Sequence, residues 1–149
     1  MNQNQNLSKR LDPVRRVAQG REDDAAKRFA DSQQLLAQRE AQLRDMEKYL
    51  AEYEAAKPAP GMGPALLANR EAFLRQLGEA IRWQKNAVAE ARAKLDAARE
   101  HWLRKRCATN VVEHLIERSD NAEQRLRERR LQQELDEFAQ RRVGSSPLA

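Results

Sequence analysis

The sequence predicts an all-α protein whose two long helices form an antiparallel coiled-coil hairpin, with the C-terminal helix the longer. Two long stretches carry apolar residues at alternating spacings of three and four, and one break rich in proline and glycine separates them. Charged residues make up 34% of the chain and aromatic residues only 5%, which leaves few bulky side chains for a wide core. We expect the 149 residues to form a single domain built on a narrow helix–helix seam.

The first helix is expected over about residues 12–57. Asp12 is a suitable N-cap, and Pro13 is tolerated at the first helical position because its missing N–H is unpaired there anyway. Gly20 costs about 1 kcal/mol relative to alanine without ending the helix. Eight of eleven seam positions are apolar, which indicates a heptad pattern. These positions are Ala18, Glu22, Ala25, Phe29, Ser32, Leu36, Arg39, Leu43, Met46, Leu50 and Tyr53.

The turn is expected over residues 58–65, because three prolines and two glycines in residues 58–64 cannot continue a helix. The second helix is expected over about residues 66–142, followed by a disordered tail over residues 143–149. Its seam is Ile81, Gln84, Val88, Ala91, Leu95, Ala98, Trp102, Lys105, Thr109, Val112, Ile116 and Ser119, and an apolar stripe continues in a shifted register through Ala122, Leu126, Leu135 and Phe138. With the turn centred near residue 63, Asp12 would lie level with His114, so residues 115–142 are expected to lack an intrachain partner.

The inventory of reactive residues argues against an enzyme. His101 and His114 lie thirteen residues apart without a ligand-spaced partner, and Cys107 is the only cysteine, so no intrachain disulfide can form. Gly61 and Gly63 are not followed by the Lys-Ser or Lys-Thr of a phosphate-binding loop. We therefore expect no catalytic residue, no metal site and no cofactor.

The charge pattern and hydropathy bear on location and on partners. The net charge is +5, but acidic residues interleave with basic ones along the whole chain, whereas nucleic-acid binding needs a concentrated basic face. The sequence has neither the apolar core of a secretory signal near its N-terminus nor a run of about 20 apolar residues. We expect a cytoplasmic protein that binds other proteins and no nucleic acid.

Eight residues beside the turn form a candidate partner-binding surface, named here the turn-proximal patch. Four precede the turn and four follow it, each set spaced by four, three and four. In a hairpin centred on residue 63, the two sets lie at matching heights, with Gln42 level with Gln84 and Tyr53 level with Phe73. They can be core layers of the coiled coil, an exposed surface for a partner, or residues that flank the seam and are half buried. The patch is Gln42, Met46, Tyr49, Tyr53, Phe73, Leu77, Ala80 and Gln84.

The sequence resembles the flagellar FliJ family over most of its length. The likeness rests on the patch residues and their neighbours, on Trp102, and on the C-terminal segment Leu-Asp-Glu-Phe-Ala-Gln-Arg at residues 135–141. The resemblance implies a protein similar to the central stalk of rotary ATPases, which binds within the hexameric export ATPase FliI and promotes its assembly. It also implies contacts with the membrane export gate protein FlhA and the escort of empty export chaperones.

In the family, residues matching the turn-proximal patch are tied to the FlhA contact. Gln84 departs from the family pattern, in which a histidine can occur at that position, so its part in the contact is open. The resemblance implies a cytoplasmic location, peripheral at the inner face of the cell membrane. Two alternatives stay open: the matching stalk of a virulence-type secretion system, and a coiled coil that binds nucleic acid or acts as a scaffold.

Overall fold

Two α-helices make up the regular secondary structure of residues 3–144, the residues described by the computed structural model, with side chains described from Leu7 onward. Helix α1 is Gln3–Ala55 and helix α2 is Pro64–Gly144. Within residues 3–144 there is no strand, and the helices pack against each other. The predicted fold, with the second helix longer than the first, is confirmed.

The predicted seam is the buried side of both helices. In α1, ten of the eleven seam positions are buried or half-buried, and only Tyr53 is exposed. In α2, all twelve seam positions are buried or half-buried. The alternating spacing therefore identified the packed face of each helix correctly, since a stripe of this spacing lies on one side of an α-helix.

The described residues fall into two compact units. Unit 2 is Asp23–Leu103 and contains the turn. Its fully buried positions are apolar, and the rings of Phe29 and Trp102 stack across the two helices with centroids 5.6 Å apart. Ion pairs flank this seam and join the two helices: Arg92 to Glu40 at 3.0 Å and Lys85 to Glu47 at 3.9 Å.

Unit 1 comprises the chain up to Glu22 and the chain from Arg104 onward. Leu11, Val112 and Ile116 are half-buried here, and residues of both helices line one surface pocket. Burial continues to Glu123, after which all of residues 124–144 are exposed. The prediction that α2 loses its partner at residue 115 was therefore wrong by about nine residues, because α1 begins earlier than expected.

The start of α1 was also predicted wrongly. Pro13 lies inside the helix, and Asp12 pairs with Arg15 at 2.7 Å and with Arg16 at 3.2 Å, which are interactions of a residue within a helix. A proline in a helix removes one backbone hydrogen bond, but it does not prevent the turns before it from being helical. Leu11 is half-buried at the seven-residue spacing of Ala18 and extends the seam toward the N-terminus.

The other predicted boundaries agree with the structure to within a few residues. Residues 56–63 are non-helical, and α2 begins at Pro64, two residues before the expected start. Val143 and Gly144, placed in the expected disordered tail, belong to α2, and residues 145–149 lie outside the described residues. The assignment of the whole chain to a single domain stays a prediction.

Candidate partner-binding site at the turn

A tight turn brings the ends of the two helices together in unit 2. The Met62 N–H donates to the Ala59 carbonyl at 3.2 Å, and Gly61 has a φ of 87°. With Pro60 before it, this is the arrangement of a type II turn, in which the third residue needs a positive φ and is therefore usually glycine. The Gly63 carbonyl then accepts from the N–H groups of Leu66 and Leu67 at 3.1 Å and opens α2.

Arg70 ties the beginning of α2 to the end of α1. Its Nη2 donates to the carbonyl oxygens of Tyr53, at 3.1 Å, and Ala56, at 3.0 Å. The last carbonyls of a helix have no partner within that helix and carry partial negative charge, so a guanidinium is a favourable partner for them. This contact positions the first turn of α2 against the last turn of α1.

Three aromatic rings from both helices form a cluster beside this contact. The Phe73 ring lies 4.9 Å from Tyr53 and 6.4 Å from Tyr49, and the two tyrosine rings lie 6.0 Å apart. The exposed fractions are 49% for Tyr49, 36% for Tyr53 and 37% for Phe73. The cluster flanks the seam, partly packed and partly open to solvent, which is the intermediate arrangement among the three that the sequence allowed.

The other patch residues divide between the seam and the surface. Met46, Leu77 and Ala80 are half-buried, whereas Gln42 is exposed. All eight patch residues lie within unit 2, so the structure brings both halves of the predicted surface into one unit. The patch is thus a real juxtaposition of the two helices, with the aromatic cluster as its accessible apolar part.

Gln84 holds the far end of the patch in register. Its Nε2 donates to the Arg39 carbonyl at 2.9 Å and to Gln42 Oε1 at 3.2 Å, while the side chain is half-buried in the seam. A polar seam residue that bonds across the interface fixes which turns of the two helices face each other. Gln84 therefore has a packing role that would be present with or without a partner.

Arg70 and Trp83 are two residues that sequence reasoning did not single out. No pattern in the sequence indicates the role of Arg70, because the path of the turn determines which carbonyls its side chain reaches. Trp83 is 76% exposed on the side of α2 away from the seam, next to Ala87 and Glu90 along a shallow surface depression. Trp83 does not fall on the spacing of the α2 seam, and this could have indicated that it is exposed.

Neither a metal-ligand cluster nor a membrane-spanning stretch occurs in the part of the chain that the structure describes. Across the part of the chain with described side chains, no three His, Cys, Asp or Glu residues lie together as metal ligands would. Within the same part, neither helix has a stretch long and apolar enough to cross a bilayer. The feature best suited to recognition is the aromatic cluster, since tyrosine and phenylalanine supply apolar area and tyrosine adds a hydroxyl.

The fold and this surface define a coiled-coil hairpin protein with an aromatic cluster beside its turn, a class suited to contacts with other proteins. The comparison with known families agrees with this class. The family model described as "Flagellar FliJ protein" matches residues 8–147, nearly the whole chain. The chain belongs to the flagellar FliJ family.

A relative from Salmonella typhi, named "Flagellar FliJ protein", is 27% identical over 141 residues. The alignment covers 92% of this chain and 95% of the relative, so the two proteins match along almost their full lengths. The family resemblance inferred from the sequence is confirmed. Family membership makes the chain a component of the flagellar export apparatus.

Proposed function

We propose that this chain is a non-enzymatic connector of the flagellar export apparatus. It binds the ring of the export ATPase FliI, promotes the assembly and activity of that ring, and links it to the export gate protein FlhA. It also escorts export chaperones. The family resemblance supports this set of partners, and with these partners we propose a position in the cytoplasm, peripheral at the inner face of the cell membrane.

One observation in the structure supports the gate contact. Three aromatic rings from the two helices converge within 6.4 Å of one another while each stays at least 36% exposed. Residues that serve packing alone in a two-helix seam would be more completely covered, as Ile81 and Val88 are. Binding interfaces gain most of their energy from a few such aromatic anchors.

Side-chain bonds across the two helices support this proposal, because they hold the patch at both ends. Arg70 holds the carbonyl of Tyr53 at 3.1 Å, and Gln84 fixes the register at the other end of the patch. A surface that is already ordered loses less conformational entropy on binding, so more of its contact energy appears as affinity. We propose that Tyr49, Tyr53, Phe73 and Leu77 make the central contacts and that Gln42, Met46, Ala80 and Gln84 support them.

Titration of the purified cytoplasmic domain of FlhA against the full chain tests the gate contact. Tyr49→Ala removes the most exposed ring of the cluster, so we expect the Kd to rise at least about tenfold, which corresponds to about 1.4 kcal/mol. Trp83→Ala is the matched control, because it also truncates an exposed aromatic residue but lies outside the patch. Equal Kd values for wild type and Tyr49→Ala would refute the proposed contact.

A rate measurement tests the ATPase role independently. The purified chain alone is expected to show no ATP hydrolysis, while added to its cognate export ATPase it should raise the steady-state rate in a saturable way. Tyr49→Ala should stimulate as well as wild type if the gate contact and the ATPase contact use different surfaces. An unchanged ATPase rate at a saturating concentration of the wild-type chain would refute this part of the proposal.

A further inference from the structure

The buried residues of the two units differ in chemistry. Among the residues with described side chains, the buried apolar ones all lie in unit 2: Ala25, Ile81, Val88 and Ala91. The buried polar residues, Thr109, Ser119 and Glu123, all lie in unit 1. Since the hydrophobic effect grows with the apolar area removed from water, unit 1 gains less cohesion from its seam than unit 2 does.

Two of the three buried polar residues of unit 1, Thr109 and Glu123, bond within their own helix. Thr109 Oγ1 donates to the Lys105 carbonyl at 3.1 Å, and Glu123 pairs with Arg127 at 2.7 Å. Both interactions survive if the α1 segment moves away, so they do not resist separation. The Glu123 side chain is only 12% exposed, and burying a carboxylate reduces the net gain from packing at this end of α2.

The α1 segment of unit 1 is also a weak helix by itself. Pro13 has no N–H and leaves one carbonyl of the preceding turn without its helical bond, and Gly20 has the greatest backbone freedom to lose. No proline follows Pro64 within α2, so that helix has no comparable interruption. The N-terminal part of α1, which carries Pro13 and Gly20, therefore depends more on packing against α2 to stay helical.

We propose that residues 3–22 detach from α2 in a local opening that leaves unit 2 folded and α2 helical. In the closed form, the part of α2 without a packing partner begins at residue 124. In the open form, it begins at residue 104. The open form therefore exposes Ile116 and the polar seam face around Thr109 to solvent. This inference rests on the packing of unit 1 and does not depend on the proposed partners.

Native-state hydrogen exchange of the intact chain, followed by mass spectrometry on peptides, tests this opening. We expect amides of residues 7–22 to exchange at least about 100-fold faster than those of residues 30–50, which require unit 2 to unfold. Amides of residues 104–123 should show intermediate protection, because they lose a packing partner but keep their helical bonds. Equal protection of residues 7–22 and 30–50 would refute the proposal.

Thr109→Val adds a second, independent measurement. The substitution keeps the β-branched shape and replaces the hydroxyl by a methyl group at a position only 2% exposed, so it should favour the closed form. We expect exchange of residues 7–22 to slow at least about threefold, with residues 30–50 unchanged. Slowing by the same factor in both units, or no change in residues 7–22, would show that no local opening of this kind occurs.

Ser32→Ala is the matched control for that variant. Like Thr109, Ser32 is a seam residue whose hydroxyl donates within its own helix, here to the Arg28 carbonyl at 2.9 Å. Ser32 lies in α1, however, and belongs to unit 2. Its replacement should leave the exchange of residues 7–22 at the wild-type rate. Faster or slower exchange there would show that the two units unfold together, which contradicts the proposal.

Discussion

Arg70 Nη2 donates a hydrogen bond to the main-chain carbonyl of Tyr53 at 3.1 Å. Phe73 follows Arg70 by three residues in α2, and its ring lies 4.9 Å from the ring of the same tyrosine. One turn of α2 thus holds Tyr53 by both its backbone and its side chain. The cap on α1 and the aromatic cluster are therefore parts of one arrangement. A change at Arg70 should affect the last turn of α1 and, through it, the position of the Tyr53 ring.

Replacing Arg70 by methionine should lower the free energy of unfolding by about 1 kcal/mol, since two hydrogen bonds to the end of α1 are lost at an exposed site. Urea denaturation followed by circular dichroism measures this change. Arg70→Lys should recover only part of the loss, because a lysine ammonium is more strongly hydrated than a guanidinium and sits on a more flexible stem. Arg75→Met, at an exposed position five residues on, is the control, and a loss as large as at Arg70 would contradict the capping role.

Two glycine substitutions should have opposite effects on stability. Gly61→Ala should cost about 1 kcal/mol, because an L-residue is strained at a φ of 87° even though no neighbouring atom would meet the new Cβ. Gly78→Ala adds the same methyl group inside α2, again without a close neighbour, and should stabilise by about 0.5–1 kcal/mol. Thermal or urea unfolding of the two variants gives the signs, and a stabilising Gly61→Ala would show that the type II turn is absent.

The two tryptophans should report two different environments. Trp102 stacks on Phe29 within 4° of parallel and is half-buried, whereas Trp83 is 76% exposed. Trp102→Ala should therefore cost about 2–3 kcal/mol, below the full cost for a completely buried aromatic residue, and Trp83→Ala should stay within about 0.5 kcal/mol of wild type.

Fluorescence gives an independent check on the same pair. Trp102→Phe leaves Trp83 as the only tryptophan, and its emission should be quenched strongly by acrylamide. Trp83→Phe leaves Trp102, whose emission should be quenched less, since the packed indole is partly shielded. The reverse order of quenching would contradict the stacking of Trp102 on Phe29.

The seam was predictable because helical spacing determines which residues share a face, and all twelve predicted α2 positions are at least half-buried. The start of α1 was not predictable, because Asp12 and Pro13 are compatible both with the start of a helix and with its interior. The choice between these two depended on whether α2 packs against Leu11, and local residue preferences do not contain that information.

The position of each patch residue along the hairpin was predictable, but its rotation about the helix axis was not. The expected level pairs Gln42–Gln84 and Tyr53–Phe73 are in contact, at 3.2 Å between side-chain atoms and 4.9 Å between ring centroids. How far each ring is covered depends on its rotation about the helix axis and on the path of the turn, which spacing does not determine. The bond from Arg70 to the end of α1 was hidden for the same reason.

Phe73→Ala separates the folding role of the patch from its proposed binding role. Phe73 is 37% exposed, so truncation should cost about 2 kcal/mol of stability, less than the roughly 3–5 kcal/mol of a fully buried aromatic residue. If the cluster also contacts the export gate, the same change should weaken binding of the FlhA cytoplasmic domain by more than about 1 kcal/mol. A melting curve and a binding isotherm on the same preparation measure the two effects.

Phe73→Leu is the control that keeps an apolar side chain at this position. It should cost less than about 1.5 kcal/mol of stability while still losing the ring contacts with Tyr49 and Tyr53. Weaker gate binding with a nearly unchanged melting temperature in this variant would attribute the loss to the aromatic surface, because the fold is kept. A loss of 3–5 kcal/mol in Phe73→Ala, with wild-type binding in Phe73→Leu, would instead identify the ring as core and exclude it from the proposed contact.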